Sequence, residues 1–415
     1  MRRSARVARR RVLRSLRRRN YRLFFVGQIV SLAGTWMQNV ALAWLAITLS
    51  GGDPLAVAGM AFCRFLPFTL LALVAGAVVD RVDAWKLVAV TQAAAMAVSA
   101  ALAGVVLSGT SSLPLVYVLA ALGGVALVFD APARQALVYR MVGPASLANA
   151  VALNSGLFNA ARVVGPALAG VTIAALGVGA CFVVNAVSFL AVLAALALMR
   201  RGDLLHVEQR HTAFGAGIRE SVAYALRTPD LRTALGVVVV TSVIGFNFHI
   251  VIPLLAADTL RAGPGTLGLL SGAFGAGAVS GALATAVLGR ASWRAFLGGA
   301  GGFAVGMLIL APVHQVALAG GVLFGIGFAF TLFTASANAI VQLAAPGELR
   351  GRLIALYLFA FAGLAPVGSL LSGWLVDVGG TALAFATAGT VGLVATGVAA
   401  GTRVTAPLRA EAPVP

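Results

Sequence analysis

The sequence predicts an all-α integral membrane protein of twelve transmembrane helices, arranged as two pseudo-repeated six-helix bundles. Of its 415 residues, 60% are hydrophobic and only 10% are charged, and the mean hydropathy is +0.99. Because soluble proteins carry about 25% charged residues, the apolar surface of this chain must face lipid. The apolar runs reach the roughly 20 residues that a membrane-crossing helix needs, and they are too long and too uniformly apolar for barrel strands.

The elements follow in order from the positions of these runs. A basic arm comes first, a charged central loop separates the two bundles, and a short tail ends the chain. The predicted domains are 1–22 (basic cytoplasmic arm), 23–199 (first bundle), 200–230 (central cytoplasmic loop), 231–402 (second bundle) and 403–415 (cytoplasmic tail). The predicted spans are 23–49, 55–80, 87–108, 114–133, 147–175, 179–199, 231–257, 265–289, 295–312, 316–341, 350–376 and 381–402. Part of the central loop, 213–226, is expected to form an amphipathic helix on the membrane surface.

The basic residues indicate the orientation of the helices. All of the 30 Lys and Arg residues except Arg64, Arg162 and Arg261 fall in segments on one side of the predicted array. Cytoplasmic segments of membrane proteins carry this excess, so we predict a multi-pass protein of the cytoplasmic membrane with both termini in the cytoplasm. The net charge of +18 is explained by these segments and by anionic lipid, and no nucleic-acid partner is expected.

The sequence contains no motif for enzymatic chemistry. Cys63 and Cys181 are its two cysteines and lie in separate spans without a CxxC spacing, and neither an HExxH nor a GxSxG motif occurs. The glycine-rich run 272–277 resembles a phosphate-binding loop, but it lies in an apolar span and lacks the following Lys-Ser/Thr pair. We therefore expect no enzyme activity, no cofactor and no metal.

A charged motif, Gly76-Ala-Val-Val-Asp80-Arg81-Val-Asp83-Ala-Trp-Lys86, ends the second span. Gly76 is expected to let two helices approach closely. Asp80 is expected to face the N-terminus of a neighbouring helix, and Arg81 and Lys86 to pair across the interface. The motif resembles the loop signature of the major facilitator superfamily, with Asp83 replacing its second glycine. The resemblance implies a gating contact that holds one conformation shut; the alternative is a solvated turn.

Two further groups of residues resemble one branch of that superfamily, the branch of the enterobactin exporter and the macrolide efflux proteins. The resemblance covers residues 18–200 well and the second bundle more loosely. Its residues include Asn20, Tyr21, Gly27, Gln28, Arg134, Asn149, Asn154, Asn159, Arg162, Gly165, Pro166 and Gly170. The last three resemble the antiporter motif of span five, in which small residues and a proline bend and pack a helix; a plain structural kink is the alternative. Similar segments around Pro144 and Pro346 open spans five and eleven, as a duplicated fold requires.

Polar side chains inside the spans are candidates for a substrate or proton pathway, because they are costly in lipid. Arg162 could bind an anionic substrate or pair with Asp130, and Arg64 could serve the pathway or extend to the surface. No carboxylate is expected at mid-membrane, so the candidates for proton binding are Asp130, His249 and, less centrally, Asp53 and Asp258. The full set is Gln28, Gln38, Arg64, Asp130, Asn159, Arg162, His249 and Asn338. For the uncharged members, each taken alone, hydrogen bonding between helices is the more common explanation.

The resemblance implies a function as well as a fold. It implies a monomeric secondary active transporter that exports small molecules, such as drugs, macrolides or siderophore-like compounds, by alternating access and proton antiport. Its partners would be the substrate, protons and the lipid bilayer. Import of a small metabolite, or a receptor or scaffold without transport, remain the alternatives.

Overall fold

The computed structural model describes residues 14–79, 81–205, 216–245, 247–288, 292–346 and 349–403, and nearly all of them are helical. Eleven stretches of this described chain are long and apolar enough to cross a membrane. The last stretch, Arg350–Thr402, has 53 residues and is divided in two by non-helical backbone angles at Gly379 and Gly380. The described residues therefore form twelve spans, as the sequence predicts.

The first half contains six continuous helices. They are α1 (Arg19–Ser50), α2 (Pro54–Val79), α3 (Ala84–Leu107), α4 (Leu113–Val142), α5 (Pro144–Leu176) and α6 (Val178–Ala197). The span predicted to end at 133 continues as α4 to Val142, because the helix runs through Pro132 without ending. Proline inside a membrane helix is tolerated when neighbouring helices satisfy the freed backbone groups. The extension places Arg134 and Arg140 on a helix instead of in a loop.

The second half has less regular helices. They are α7 (Ala216–Arg227), α8 (Pro229–Ile244), α9 (Phe248–Leu254), α10 (Pro264–Leu288), α11 (Trp293–Leu310), α12 (Val316–Ala344), α13 (Arg350–Leu358) and α14 (Ala365–Arg403). The seventh span, predicted to be continuous, is interrupted between α8 and α9. Short π-helical turns, Leu255–Thr259 and Phe359–Gly363, follow α9 and α13. Such turns free backbone groups inside a span, and Thr69 of α2 donates to the carbonyl of Gly363 at 2.6 Å.

The central-loop helix packs against the second half of the protein. The sequence predicts helix over 213–226 on the membrane surface, and the described helix is α7. Its Ser221 and Ala225 are buried, and Glu220 pairs with Arg352 at 3.1 Å. The helix therefore contacts protein on one side as well as any lipid on the other.

The basic arm ends in contacts with α5. Residues 1–13 lie outside the described residues, and Ser15–Arg17 form a 3₁₀ turn. The Ser15 amide donates to Asn149 Oδ1 at 3.0 Å, and its hydroxyl donates to the Ser146 carbonyl at 3.0 Å. These bonds satisfy polar groups at the start of α5 and fix where the chain enters α1.

The two halves meet on one face of the membrane. We call the face that carries Arg22, Lys86, Arg140, Arg200 and Arg350 the basic face. On the opposite face, α5 contacts α10 and α2 contacts α14. A methyl group at Gly170 of α5 would lie 2.9 Å from the Pro264 carbonyl oxygen, and one at Gly373 of α14 would lie 3.1 Å from the Pro54 carbonyl oxygen. Glycine permits these close backbone approaches, and we call the face on which they occur the sealed face.

Candidate substrate cavity

A cavity of about 360 Å³ lies within the first half and is bounded by the second. Helices α1 to α6 line it, and α9 and α10 complete the wall. The volume lies in the range that binds small molecules. The aromatic rings in its lining are Trp36, Phe65, Phe158, Phe189, Phe248 and Phe274. The wall is thus largely apolar, with a small number of polar groups.

The structure separates the predicted pathway residues into two sets. Gln38, Arg64, Asp130, Arg162 and His249 line the cavity. Gln28, Asn159 and Asn338 are not among its lining residues. Asn159 donates to the Ser155 carbonyl of its own helix at 2.8 Å, and Asn338 accepts from Gln342 at 2.9 Å. Hydropathy places a residue within a span, but only packing decides which way it faces.

Asp130 is the centre of a buried polar network. The residue is buried and its carboxylate forms an ion pair with Arg134, one helical turn further along α4. Thr91 and Gln92 of α3 donate to the same carboxylate at 3.0 Å and 2.8 Å. Arg134 also donates to Gln28 Oε1 of α1. The alternative pairing of Asp130 with Arg162 is therefore wrong, because the continuation of α4 brings Arg134 closer.

Arg162 lies among aromatic rings from both halves of the protein. Its guanidinium carbon is 5.6 Å from the Trp36 ring of α1, 4.8 Å from the Phe274 ring of α10 and 5.8 Å from the Phe330 ring of α12. Rings attract a cation through the negative charge on their faces. The first half thus supplies the cation and the second half supplies two of the three rings.

Arg64 and Arg162 have no counter-charge in the described chain. Arg64 of α2 lines the cavity, so its side chain does not extend to the surface. Across the described ranges, neither arginine is within ion-pair distance of a carboxylate. Since Arg134 neutralises Asp130, the described cavity wall carries two uncompensated positive charges. His249 lies beside Phe65, with ring centroids 4.9 Å apart, and its Nε2 atom is buried without a hydrogen-bond partner among the described residues.

Gln38 connects helices as well as lining the cavity. Its Oε1 atom accepts from Ser99 Oγ and from Asn185 Nδ2, each at 2.7 Å. The cluster joins α1, α3 and α6, and Ser188 extends it by donating to Asn185 Oδ1 at 3.1 Å. Hydrogen bonds of this kind hold membrane helices together. The sequence showed these residues to be polar and in spans, but it contained no signal for their pairing.

The described residues include most of the charged motif after α2. Asp80 lies outside the described residues. A methyl group at Gly76 would have no described atom within 4 Å, so the expected close helix approach does not occur there in this conformation. Arg81 and Lys86 are exposed. Two further residues of the motif, Asp83 and Trp85, contact the neighbouring helices.

Asp83 fixes the start of α3. It caps the helix by accepting from the Lys86 amide at 3.1 Å and pairs with Arg140 at the end of α4 at 2.6 Å. Next to it, the Trp85 indole donates to the Leu196 carbonyl at 3.1 Å, and the Arg201 guanidinium lies 3.4 Å from the Trp85 ring centre. The loop is therefore attached to α4 and α6. An aspartate directly before the first residue of a helix is a capping signal, and the sequence contained it at Asp83.

Replacement of Asp83 with asparagine tests this attachment through its pH dependence. Partial burial opposes ionisation of Asp83, but Arg140 and the Lys86 and Trp85 amides outweigh it and lower the pKa of the carboxyl group. A lowered folded-state pKa gives stability that is present above the unfolded value of about 3.9 and is lost as the pH falls through the folded value. We expect the Asp83→Asn protein in detergent to have a slightly lower melting temperature than wild type at neutral pH. The loss in free energy of unfolding should be about 1 kcal/mol or less.

The pH profile of the melting temperature provides the check, because asparagine still caps the helix and only the charge is lost. The difference between the two proteins should disappear in acid. A difference that is constant across the whole pH range would show that the Asp83 charge is not its source.

The predicted packing motif of α5 lies between two helices. A methyl group at Gly165 would lie 2.9 Å from the Ala33 carbonyl oxygen of α1. On the other side of α5, the carbonyl oxygen of Pro166 would lie 2.8 Å from a methyl group at Gly268 of α10. Gly170 contacts the same part of α10. The small residues of α5 thus permit close packing within the first half and between the two halves.

Comparison with known proteins places the chain in a family. Residues 12–412 match a family model described as transmembrane secretion effector. The staphyloferrin A transporter of Staphylococcus aureus is 30% identical over 177 residues, which cover 42% of this chain and 44% of that protein, less than half of its length. The multidrug efflux pump Tap of Mycolicibacterium fortuitum is 27% identical over 369 residues, which cover 86% of this chain and 89% of the pump.

Solved structures agree with the fold. A mutant of the peptide transporter POT, in complex with sulfate, has a TM-score of 0.76 at 12% identity and covers 92% of this chain and 93% of its own. A bacterial homologue of the iron transporter ferroportin, in an inward-facing state, has a TM-score of 0.66 at 16% identity. The match covers 92% of this chain and 97% of the homologue. At these identities the likeness concerns the fold alone. The family match and the twelve spans together show that the chain belongs to the transmembrane secretion effector family of the major facilitator superfamily and is a membrane transporter.

Proposed function

We propose that this transporter exports small amphiphilic molecules from the cytoplasm by alternating access, as a monomer driven by proton antiport. The observation that carries the proposal is a cavity that both halves bound, together with close backbone approaches between the halves on the face opposite the basic one. Alternating access requires such an arrangement, in which rocking of the two halves opens one face as it closes the other.

The distribution of charge supports loading from the cytoplasm. The sealed face is the one opposite the basic residues. Since basic loops remain in the cytoplasm, the conformation described here is closed to the outside. An exporter binds its substrate from the cytoplasm in this conformation. The names of the relatives agree with export, because one is an efflux pump and the matching family is described as secretory.

Asp130 is the best candidate for proton coupling. It is the one carboxylate in the described cavity wall, and it is held by Arg134, Thr91 and Gln92. Protonation would cancel its charge, release Arg134 and change the contacts of α1, α3 and α4 together. A titratable group whose neighbours respond to its charge is what coupling requires.

Asp80, Arg81 and Lys86 are proposed to act at the gate on the basic face.

Accumulation of a mixed compound panel tests the proposal. The panel contains macrolides, tetracyclines, dyes and catechol siderophores, and retention is measured by mass spectrometry with and without a protonophore. We expect cells with wild-type protein to retain less of at least one compound. Asp80→Asn and the protonophore should each restore retention, because they remove the gate and the driving force.

The control is Glu220→Gln at equal membrane levels, since Glu220 is an exposed residue on α7. Higher accumulation in cells with wild-type protein would show that the direction of transport is import, which was the alternative function. No response to any compound would reject drug efflux as the function.

A further inference from the structure

We infer that the ligand of this cavity is an amphiphilic anion, whose carboxylate is bound by Arg64 and Arg162 while the aromatic wall holds its apolar body. The inference rests on the proposed transport function, because it names the substrate class for the same cavity. It is carried by three observations: the charge of the wall, the unused hydrogen-bond donors and the environment of Arg162.

The first observation is the charge of the cavity wall. Asp130 and Arg134 neutralise each other, which leaves Arg64 and Arg162 among the described lining residues. An arginine within a span is costly unless something compensates its charge. Two of them in a single cavity, with no available carboxylate, favour an anionic ligand and disfavour a cationic one.

The second observation is that both guanidinium groups have unused donors. Each has five N–H donors arranged as a planar fork. In the described part of the protein, neither Arg64 nor Arg162 donates a hydrogen bond, whereas Arg134 donates to both Asp130 and Gln28. A carboxylate accepts two parallel bonds from such a fork. The cavity therefore offers binding groups that match a carboxylate and that the protein itself does not use.

The third observation is the aromatic environment of Arg162. The rings of Trp36, Phe274 and Phe330 attract the guanidinium, but they provide no hydrogen-bond acceptor. They hold the cation in place without using its donors. Because Trp36 and Phe274 also line the cavity, an anion bound to Arg162 has apolar rings beside it. This combination fits an amphiphile better than a small hydrophilic anion.

The same environment connects binding to movement of the halves. Arg162 belongs to α5, and two of its rings belong to α10 and α12 of the second half. An anion that forms bonds with Arg162 competes with those rings for the cation. Binding would therefore weaken one contact between the halves, which is the differential interaction that a ligand needs to shift a conformational equilibrium.

A matched pair of probes tests the inference. 1-Naphthaleneacetate and 1-naphthaleneacetamide have nearly the same shape, but only the first is anionic at pH 7. Binding is measured by microscale thermophoresis on the full chain in phosphatidylcholine nanodiscs, which contain no anionic lipid. We expect the carboxylate to bind wild type at least about tenfold more tightly than the amide, as charge-assisted bidentate bonds allow.

Variants then assign the preference to the two arginines. Arg64→Gln and Arg162→Gln should each weaken binding of the carboxylate by a larger factor than binding of the amide, so that the preference for the carboxylate falls. Arg162→Lys keeps the positive charge without the planar fork of donors, so it should lose less of the preference for the carboxylate than Arg162→Gln. Arg294→Gln, which removes an exposed arginine at the start of α11, should change nothing. Thermal unfolding of each variant confirms that it is folded.

Several results would overturn the inference. They are equal affinity for the two probes, no measurable binding of either probe at millimolar concentration, and a carboxylate preference that survives in the Arg64→Gln/Arg162→Gln double variant. Displacement of the carboxylate when phosphatidylglycerol is added would identify a lipid phosphate as the occupant and would also overturn it. Failure of the inference can be distinguished from failure of the export proposal. Efflux of neutral compounds with no carboxylate preference rejects only the inference, whereas a carboxylate preference without any efflux rejects only export.

Discussion

Replacement of Asp130 with asparagine is expected to lower the free energy of unfolding by about 1–3 kcal/mol, because it leaves the half-buried guanidinium of Arg134 without its carboxylate partner. The side chains of Arg134 and Asp130 are only 22% and 5% exposed. The carboxylate also accepts hydrogen bonds from Thr91 and Gln92. An asparagine retains the shape but cannot compensate the positive charge. The measurement is the thermal or chemical unfolding transition of the purified protein in detergent.

Two further variants test whether the lost stability comes from the unpaired charge of Arg134 and from the burial of the ion pair. The double variant Asp130→Asn/Arg134→Gln leaves no unpaired charge, so it should recover most of the lost stability. Glu220→Gln breaks the ion pair with Arg352, whose side chains are 61% and 51% exposed, and should cost about 0–1 kcal/mol. If Asp130→Asn costs no more than Glu220→Gln, the buried network does not stabilise the first half as described.

Addition of one methyl group at Gly268 is expected to shift the transporter away from the conformation described here. In Gly268→Ala, the new methyl group would lie 2.8 Å from the Pro166 carbonyl oxygen and 2.9 Å from the Cα atom of Gly170. These are backbone atoms, so the contact is relieved only when α5 and α10 separate. Overpacking of this kind costs about 1–3 kcal/mol, which corresponds to a shift of about 5- to 150-fold in the equilibrium between the two conformations.

A spin-label distance measurement detects the shift. Thr110 and Gln315 lie in loops on the sealed face, one in each half, and labels are attached there as cysteines after Cys63 and Cys181 are replaced with alanine. We expect a larger population of long distances in Gly268→Ala than in the parent protein. Gly272→Ala is the control on the same helix, because its methyl group would lie 3.8 Å from the nearest atom, the Val163 carbonyl oxygen. Equal distance distributions in all three proteins would show that the seal does not depend on this contact.

The interior of the spans shows where sequence reasoning reaches its limit. The polar candidates were recognised because each is unusual in an apolar helix. The sequence could not separate Arg64 and Arg162, which line the cavity, from Asn159 and Asn338, which bond within their own helices. Nor did it identify Arg134 as the partner of Asp130, because the predicted span ended at 133 and placed Arg134 in a loop.

The sequence by itself determined the membrane class, the twelve spans, the basic face and the family, because hydropathy, charge and motifs are properties of consecutive residues. Only the tertiary structure decided the cavity wall, the aromatic environment of Arg162 and the seal between α5 and α10. The physical reason is that these features depend on the rotation and separation of helices far apart in the chain. Rotation and separation are set by side-chain packing between helices. The sequence of one span does not specify which residues of another span it contacts.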